Sequence, residues 1–154
     1  MILGMSVGAF TLLHVVITLV AIGSGLIVVG GMFASHKLPG TTALFLFATA
    51  LTSLTGFLFP IRGFTPALGV GIVACVILAF ALFALYKERL VGAWRPIYVI
   101  TAIVSLYLNV FVLVAQSFMK VSGLNALAPT QSEPPFAITP VSYTHLTLPT
   151  ILLV

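Results

Sequence analysis

The chain has 154 residues, of which 61% are hydrophobic and 5% are charged, and its mean hydropathy is +1.30. Soluble domains carry about a quarter of charged residues, so this composition excludes a soluble fold. The net charge of +4 comes from Lys and Arg residues scattered singly or in short loops, which is not the basic patch that nucleic-acid binding requires. The single cysteine, Cys75, excludes an internal disulfide.

Four apolar runs occupy residues 1–120. A helix rises about 1.5 Å per residue, so about 20 apolar residues cross a hydrocarbon core of about 30 Å. We predict transmembrane helices at residues 7–33, 42–59, 67–86 and 97–119, all within one domain of residues 1–120. Proline and glycine residues mark short connections between the runs, and short connections favour antiparallel neighbours. The sequence therefore predicts an all-α membrane protein, an up-down-up-down bundle of four transmembrane helices.

Basic residues are distributed unevenly between the two ends of the predicted bundle. Four belong to loops one and three and two to the other end: Lys37, Lys87, Arg89 and Arg95 against Arg62 and Lys120. Cytoplasmic loops of membrane proteins are enriched in Lys and Arg, so we predict that loops one and three are cytoplasmic. Tyr86, Trp94 and Tyr98 are then expected at the cytoplasmic interface of the membrane.

Polar residues recur along three predicted spans at the spacing of one helix face. They are Thr11, His14 and Thr18 on the first, Thr49 and Ser53 on the second, and Thr101, Ser105, Asn109, Gln116 and Lys120 on the fourth. The helical rise places His14, Ser53, Asn109 and Gln116 together in the outer half of the bundle. We predict that these four line a small pocket, opening outward, for a neutral or weakly polar ligand.

The competing interpretation of these residues is packing. Asn, Gln, Ser and Thr commonly hydrogen-bond between membrane helices, at about 0.6–2 kcal/mol each. For His14, this interpretation predicts a hydrogen bond to Asn109 or to a backbone carbonyl.

The sequence predicts no metal or cofactor. No cluster of His, Cys, Asp or Glu has the spacing of metal ligands, and Glu88 and Glu133 fall in loops rather than inside a span. Haem ligation by His14 and His36 is excluded within one chain, because the helical rise places them about 33 Å apart. Ligation by His14 from each of two copies, or by a histidine and a methionine, stays open. No catalytic nucleophile motif or phosphate loop is present, so we predict a non-enzymatic protein.

Small residues recur at every fourth position on two spans, and such rows allow helices to approach closely. The rows are Ala67, Gly71, Cys75 and Ala79 on the third span, with Gly4 and Gly8, and Ala21 and Gly25, on the first. We expect internal packing, and association with a second copy is the alternative.

Three segments carry a resemblance to a known family. They are LLHVVITLVAIGSGLIVV at residues 12–29, LNVFVLVAQSF at 108–118 and LAPTQSEPPFAIT at 127–139. They resemble a family of small, uncharacterised bacterial multi-pass membrane proteins, over about residues 5–139. The resemblance implies a helix bundle in the bacterial cytoplasmic membrane, with a further helix after the PPF element, and it implies no function.

The end of the chain departs from this resemblance. After an outer proline-rich loop predicted at residues 121–139, the tail at 140–154 contains prolines and hydroxyl residues that make a poor spanning helix. Residues 142–150 resemble the translated read-through of a sequencing adapter. We therefore predict no functional role for His145. We expect the natural chain to differ after about Thr139 and to continue into a fifth helix; a genuine irregular outer tail is the alternative.

The sequence thus predicts an integral membrane protein that binds a small ligand or a membrane partner through the outer polar residues. Its expected partners are the lipid bilayer and either a second copy or another membrane protein, and not nucleic acid. The alternative is a redox or transport accessory that uses His14 toward haem, quinone or a permeating solute.

Overall fold

The computed structural model describes residues 1–60, 66–129, 134–135 and 138. Its helices are α1 (Val7–Phe33), α2 (Pro39–Phe57), α3 (Pro66–Leu82), which continues into a π-helical turn (Phe83–Lys87), α4 (Trp94–Lys120) and the short α5 (Ser122–Leu127). Four of these segments are long and apolar enough to cross a membrane. The predicted all-α bundle is confirmed. The predicted features of Arg62, Glu133 and residues 139–154 lie outside the described residues.

The helices begin where local chemistry satisfies or removes their free N–H groups. Ser6 caps α1, because its Oγ accepts a hydrogen bond of 3.2 Å from the N–H of Ala9. α2 begins earlier than predicted, at Pro39, since a proline at the first helical position lacks only an N–H that the helix does not use. α4 likewise begins before the predicted start, at Trp94, and accommodates Pro96 in its first turn.

The predicted outer loop begins with one more short helix. Val121 is extended and ends α4, and α5 follows at once. Asn125 ties the two helices together, because its Nδ2 donates to the carbonyl of Phe118 at 3.2 Å. Sequence patterns of membrane length do not detect so short an element.

Each long helix packs against the next one along the chain, and α4 closes the ring against α1. The buried core lies at the end where α1 and α3 finish and α2 and α4 begin; we call this the packed half. Its buried members are Val28, Phe45, Leu46, Leu78, Ala81, Ala84, Tyr98, Val99, Ala102, Ile103 and Leu106. Tyr98, expected at the membrane interface, belongs to this core, whereas Tyr86 is exposed.

The surface of the bundle is apolar and several polar groups are inside. Leu12 and Phe47 are 66% and 64% exposed, whereas Thr49 and Asn109 are buried. A lipid environment accepts such a surface, since hydrocarbon chains solvate exposed leucine and phenylalanine side chains. This distribution supports the assignment of the four long segments to membrane spans.

Glycine allows a close helix approach in the packed half. A Cβ atom built on Gly25 would lie 2.7 Å from Leu106 Cδ1 and 2.9 Å from Phe45 Cε2, and both of those side chains are fully buried. On α3 the predicted row of small residues is only partly internal, because Ala79 is exposed and the buried positions are instead Ala74, Leu78 and Ala81.

Replacement of Gly25 by alanine is expected to destabilise the bundle. The added methyl group overlaps two fully buried side chains, and overpacking of this kind costs about 1–3 kcal/mol. Gly23→Ala is the matched control, since it adds the same methyl group on the same helix with nothing within 4 Å. Thermal unfolding in one detergent measures both variants, and equal midpoints for the two would contradict the proposed close approach.

Candidate functional site

A cavity of about 510 Å³ occupies the half of the bundle opposite the packed half. Its walls come from the first half of α1, the end of α2, the beginning of α3 and the last half of α4, which the antiparallel arrangement brings to the same end. We call it the polar cavity. Its polar lining residues are Thr11, His14, Thr18, Thr52, Ser53, Asn109, Gln116, Ser117 and Lys120.

The four residues predicted to meet do line this one cavity: His14 on α1, Ser53 on α2, and Asn109 and Gln116 on α4. Two other members of the predicted α4 face do not reach it. Thr101 Oγ1 donates to the carbonyl of Ile97 at 2.8 Å, and the buried Ser105 Oγ has no hydrogen-bond partner in the described part of the chain.

Asn109 forms the floor of the polar cavity with α2. Its Nδ2 donates to Thr49 Oγ1 at 3.1 Å, and both residues are buried. The bond from His14 to Asn109, one of the two expected for packing, is therefore not formed, because each of these side chains hydrogen-bonds to a hydroxyl of α2 instead. The Asn109–Thr49 bond connects α4 to α2 across the bundle and separates the polar cavity from the core below.

His14 is held by α2 and by the residues that follow it. Its Nδ1 lies 2.7 Å from Thr55 Oγ1. Its ring also packs edge to face with Phe59, with centroids 5.3 Å apart and an interplanar angle of 87°, and Phe59 in turn contacts the ring of Phe10 at 5.1 Å. These contacts fix both the position and the rotation of the imidazole.

Several lining hydroxyls use their hydrogen within their own helix. Thr11, Thr18 and Ser117 each donate to the backbone carbonyl four residues earlier, at 2.8, 2.9 and 2.7 Å. A hydroxyl has one hydrogen and two lone pairs, so these groups offer only lone pairs to a molecule in the polar cavity.

Other lining groups have no hydrogen-bond or ion-pair partner among the described residues. Ser53 and Gln116 make no hydrogen bond within the described residues, and Lys120 makes no ion pair there. Thr52 Oγ1 is buried at the same wall, again without a partner from the described chain. Gln116 and Lys120 therefore supply free N–H donors near the end of α4.

Sequence reasoning missed Thr55 and Thr52. The predicted stripe on α2 followed a single helical face, and Thr55 lies beside that face, opposite His14. The available signal was composition, since Thr49, Thr52, Ser53 and Thr55 concentrate hydroxyl groups in the second half of α2.

Metal-ligating side chains do not gather in the described chain. No group of three His, Cys, Asp or Glu residues is found in that part. Among the described lining residues, His14 is the one side chain of this class, and none is acidic. The site consists of an imidazole, hydroxyls, amides and an ammonium group within largely apolar walls.

Comparison with protein-family models found no match, and comparisons with curated proteins and with solved structures found none either. The resemblance to small bacterial multi-pass membrane proteins, and the adapter-like origin of residues 142–150, therefore stay predictions.

The Asn109–Thr49 bond predicts an energetic coupling between α4 and α2. In a double-mutant cycle, Asn109→Ala and Thr49→Ala are expected to be less destabilising together than the sum of the single changes, by about 0.6 kcal/mol, which is typical of such bonds in membranes. Unfolding in a mixed detergent series measures the four variants. Strict additivity would show that the two side chains do not interact.

Proposed function

We propose that this is a non-enzymatic integral protein of the bacterial cytoplasmic membrane that binds a small, weakly polar ligand in the polar cavity. One observation carries the proposal: polar residues from three helices line a single cavity of about 510 Å³. Ligand pockets of proteins typically measure about 300–1,000 Å³, with apolar walls and few polar groups. The polar cavity has this size and composition.

The competing packing role accounts for only part of the polar cavity. Polar side chains that serve packing hydrogen-bond to a neighbouring helix, as Asn109 does to Thr49. Ser53 and Gln116 line the same space without any such partner in the described chain. An unpaired polar group in the membrane is costly, and a bound ligand removes that cost.

The charges support an outward-facing cavity. Lys87, Arg89 and Arg95 follow or begin the helices at the packed end, whereas Lys120 ends α4 beside the polar cavity. Under the positive-inside rule, the packed end is cytoplasmic and the polar cavity opens on the outer side. The lipid bilayer is the first partner that we propose. A second copy of this chain, or another membrane protein, is the alternative to a small ligand at the same polar residues.

A substitution that fills the cavity is expected to displace the ligand. Val112 lines the polar cavity, so Val112→Trp occupies its volume. Val76→Trp is the matched control, because Val76 is 52% exposed on the face of α3 that points away from the interior of the bundle. Native mass spectrometry and solvent extraction of protein purified in mild detergent are expected to find a bound small molecule in the wild type and in Val76→Trp, but not in Val112→Trp.

Two results would contradict this proposal. One is equal retention of the molecule by all three proteins, which would place it on the outer surface. The other is a wild type that carries no small molecule under these conditions.

A redox or transport accessory is the second candidate function, and one observation favours it. His14 Nδ1 is bonded to Thr55, whereas Nε2 makes no hydrogen bond with the described residues. An imidazole held at one nitrogen and open at the other is also the arrangement used for metal or haem ligation.

The absorption spectrum of the purified protein tests this candidate. A haem accessory is expected to show a Soret band that His14→Ala removes. Our first proposal predicts instead a spectrum without that band in both proteins, and a small, weakly polar molecule retained by the wild type. A band that persists in His14→Ala would place the haem elsewhere.

A further inference from the structure

We infer that the polar cavity selects a ligand that donates a hydroxyl hydrogen bond to Nε2 of His14, that is, an apolar alcohol or phenol. The inference rests on the proposed function, since it specifies the chemistry of the ligand in that cavity. It is carried by the bonds around Thr55, which fix the tautomer of the imidazole.

The hydroxyl of Thr55 has a single hydrogen to donate. Thr55 Oγ1 lies 2.7 Å from the carbonyl oxygen of Leu51 and 2.7 Å from His14 Nδ1. A carbonyl oxygen can only accept, so at this distance the hydroxyl must donate to Leu51. The hydroxyl then has no hydrogen left for His14, and Nδ1 must carry the proton of the second bond.

The charge of the His14 ring depends on the groups that surround it. No acidic side chain is present among the described lining residues, and the one charged group there, Lys120, has the sign of an imidazolium. Burial of a cation without a counter-ion is unfavourable in a membrane. The ring is therefore neutral, and a neutral ring with a proton on Nδ1 has a lone pair on Nε2.

The Nε2 atom of His14 is accessible from the polar cavity. This nitrogen has no hydrogen bond within the described residues, and it is not among the buried polar atoms without a partner, which are Thr52 Oγ1 and Ser105 Oγ. His14 lines the polar cavity, so the lone pair is available to its contents. Neither a ketone nor an ether can bond to this nitrogen, whereas an alcohol or a phenol can.

A long-chain alcohol and a quinol represent the two classes, aliphatic and phenolic, that have this donor. Each has a close analogue that lacks the donor. Decyl methyl ether is the analogue of 1-decanol, with a methoxy group in place of the hydroxyl. A decyl-substituted benzoquinone is the oxidised form of the corresponding quinol, with carbonyl groups in place of the hydroxyls. These four compounds are suitable probes, because each pair keeps the decyl chain and only one member of each pair has a hydroxyl donor.

The tautomer is measured directly on the full chain. In protein labelled with ¹⁵N in histidine and placed in lipid nanodiscs, the His14 ring is expected to show a protonated Nδ1 and an unprotonated Nε2. The His14→Gln spectrum assigns the signals. Thr55→Val removes the bond that fixes the tautomer and is expected to give a mixture, whereas Thr101→Val, which removes a similar hydroxyl outside the polar cavity, leaves the His14 signals unchanged. A His14 ring protonated on Nε2 in the wild type would overturn the inference.

Ligand titration into the same nanodiscs, corrected for partition into empty discs, completes the test. The donor of at least one pair is expected to bind about fivefold more tightly than its analogue, which corresponds to about 1 kcal/mol for one neutral hydrogen bond. The preference is expected to disappear in His14→Leu, whose side chain has no acceptor. Whichever pair shows it identifies the source as aliphatic or quinol-like.

The failures of the two proposals are distinguishable. If both members of each pair bind saturably and equally, the selection for a donor is overturned and the ligand cavity stands. If none of the four probes binds saturably, and the wild type retains no molecule on purification, the ligand cavity itself is overturned and the inference with it.

Discussion

The hydrocarbon core of a bilayer offers no hydrogen-bond partners, and the arrangement of this protein depends on that constraint. Backbone groups are satisfied within the helices, and hydroxyls such as those of Thr11 and Thr18 donate to carbonyls of their own helix. Large apolar side chains such as Leu12 face outward. A polar side chain that still has bonding capacity has two places left, namely a bond to another helix, as between Asn109 and Thr49, or the wall of an internal space.

The two halves of the bundle differ in how their interiors are filled. In the packed half, Gly25 admits Leu106 and Phe45 so closely that the interior is filled with apolar side chains. In the other half, the inward positions of α2 and α3 include Gly56 and Gly71, which are too small to fill the interior. The Asn109–Thr49 bond lies between the two halves. A cavity therefore follows from residue size, and its polar character follows from hydroxyl and amide residues at the same level.

The sequence predicted the fold well, because four long apolar runs in a nearly uncharged chain allow few other structures. It also placed His14, Ser53, Asn109 and Gln116 in the same half of the bundle, where they line one cavity, since depth along a helix follows from counting residues. It did not predict the partners of His14 and Asn109. A hydrogen bond depends on the rotation of each helix about its axis, and apolar runs in lipid carry little information about rotation. The sequence could not identify Thr55 for that reason, although we infer from its hydroxyl which ring nitrogen of His14 carries the proton.

The hydrogen bonds also give the polar cavity two chemically different sides. α1 presents lone pairs only, from Thr11, Thr18 and the Nε2 of His14. α4 presents N–H donors from Gln116 and Lys120. A hydroxyl group donates and accepts at once, so it suits a space with acceptors on one wall and donors on another, whereas a carbonyl or ether suits the α4 side alone. The lone pairs of Thr11 and Thr18 and the donors of α4 thus reinforce the selection for a donor that we infer at His14. Because all three of these acceptors depend on a hydroxyl that donates to the preceding helical turn, that of Thr11, Thr18 or Thr55, ordinary helix chemistry is enough to give the cavity its specificity.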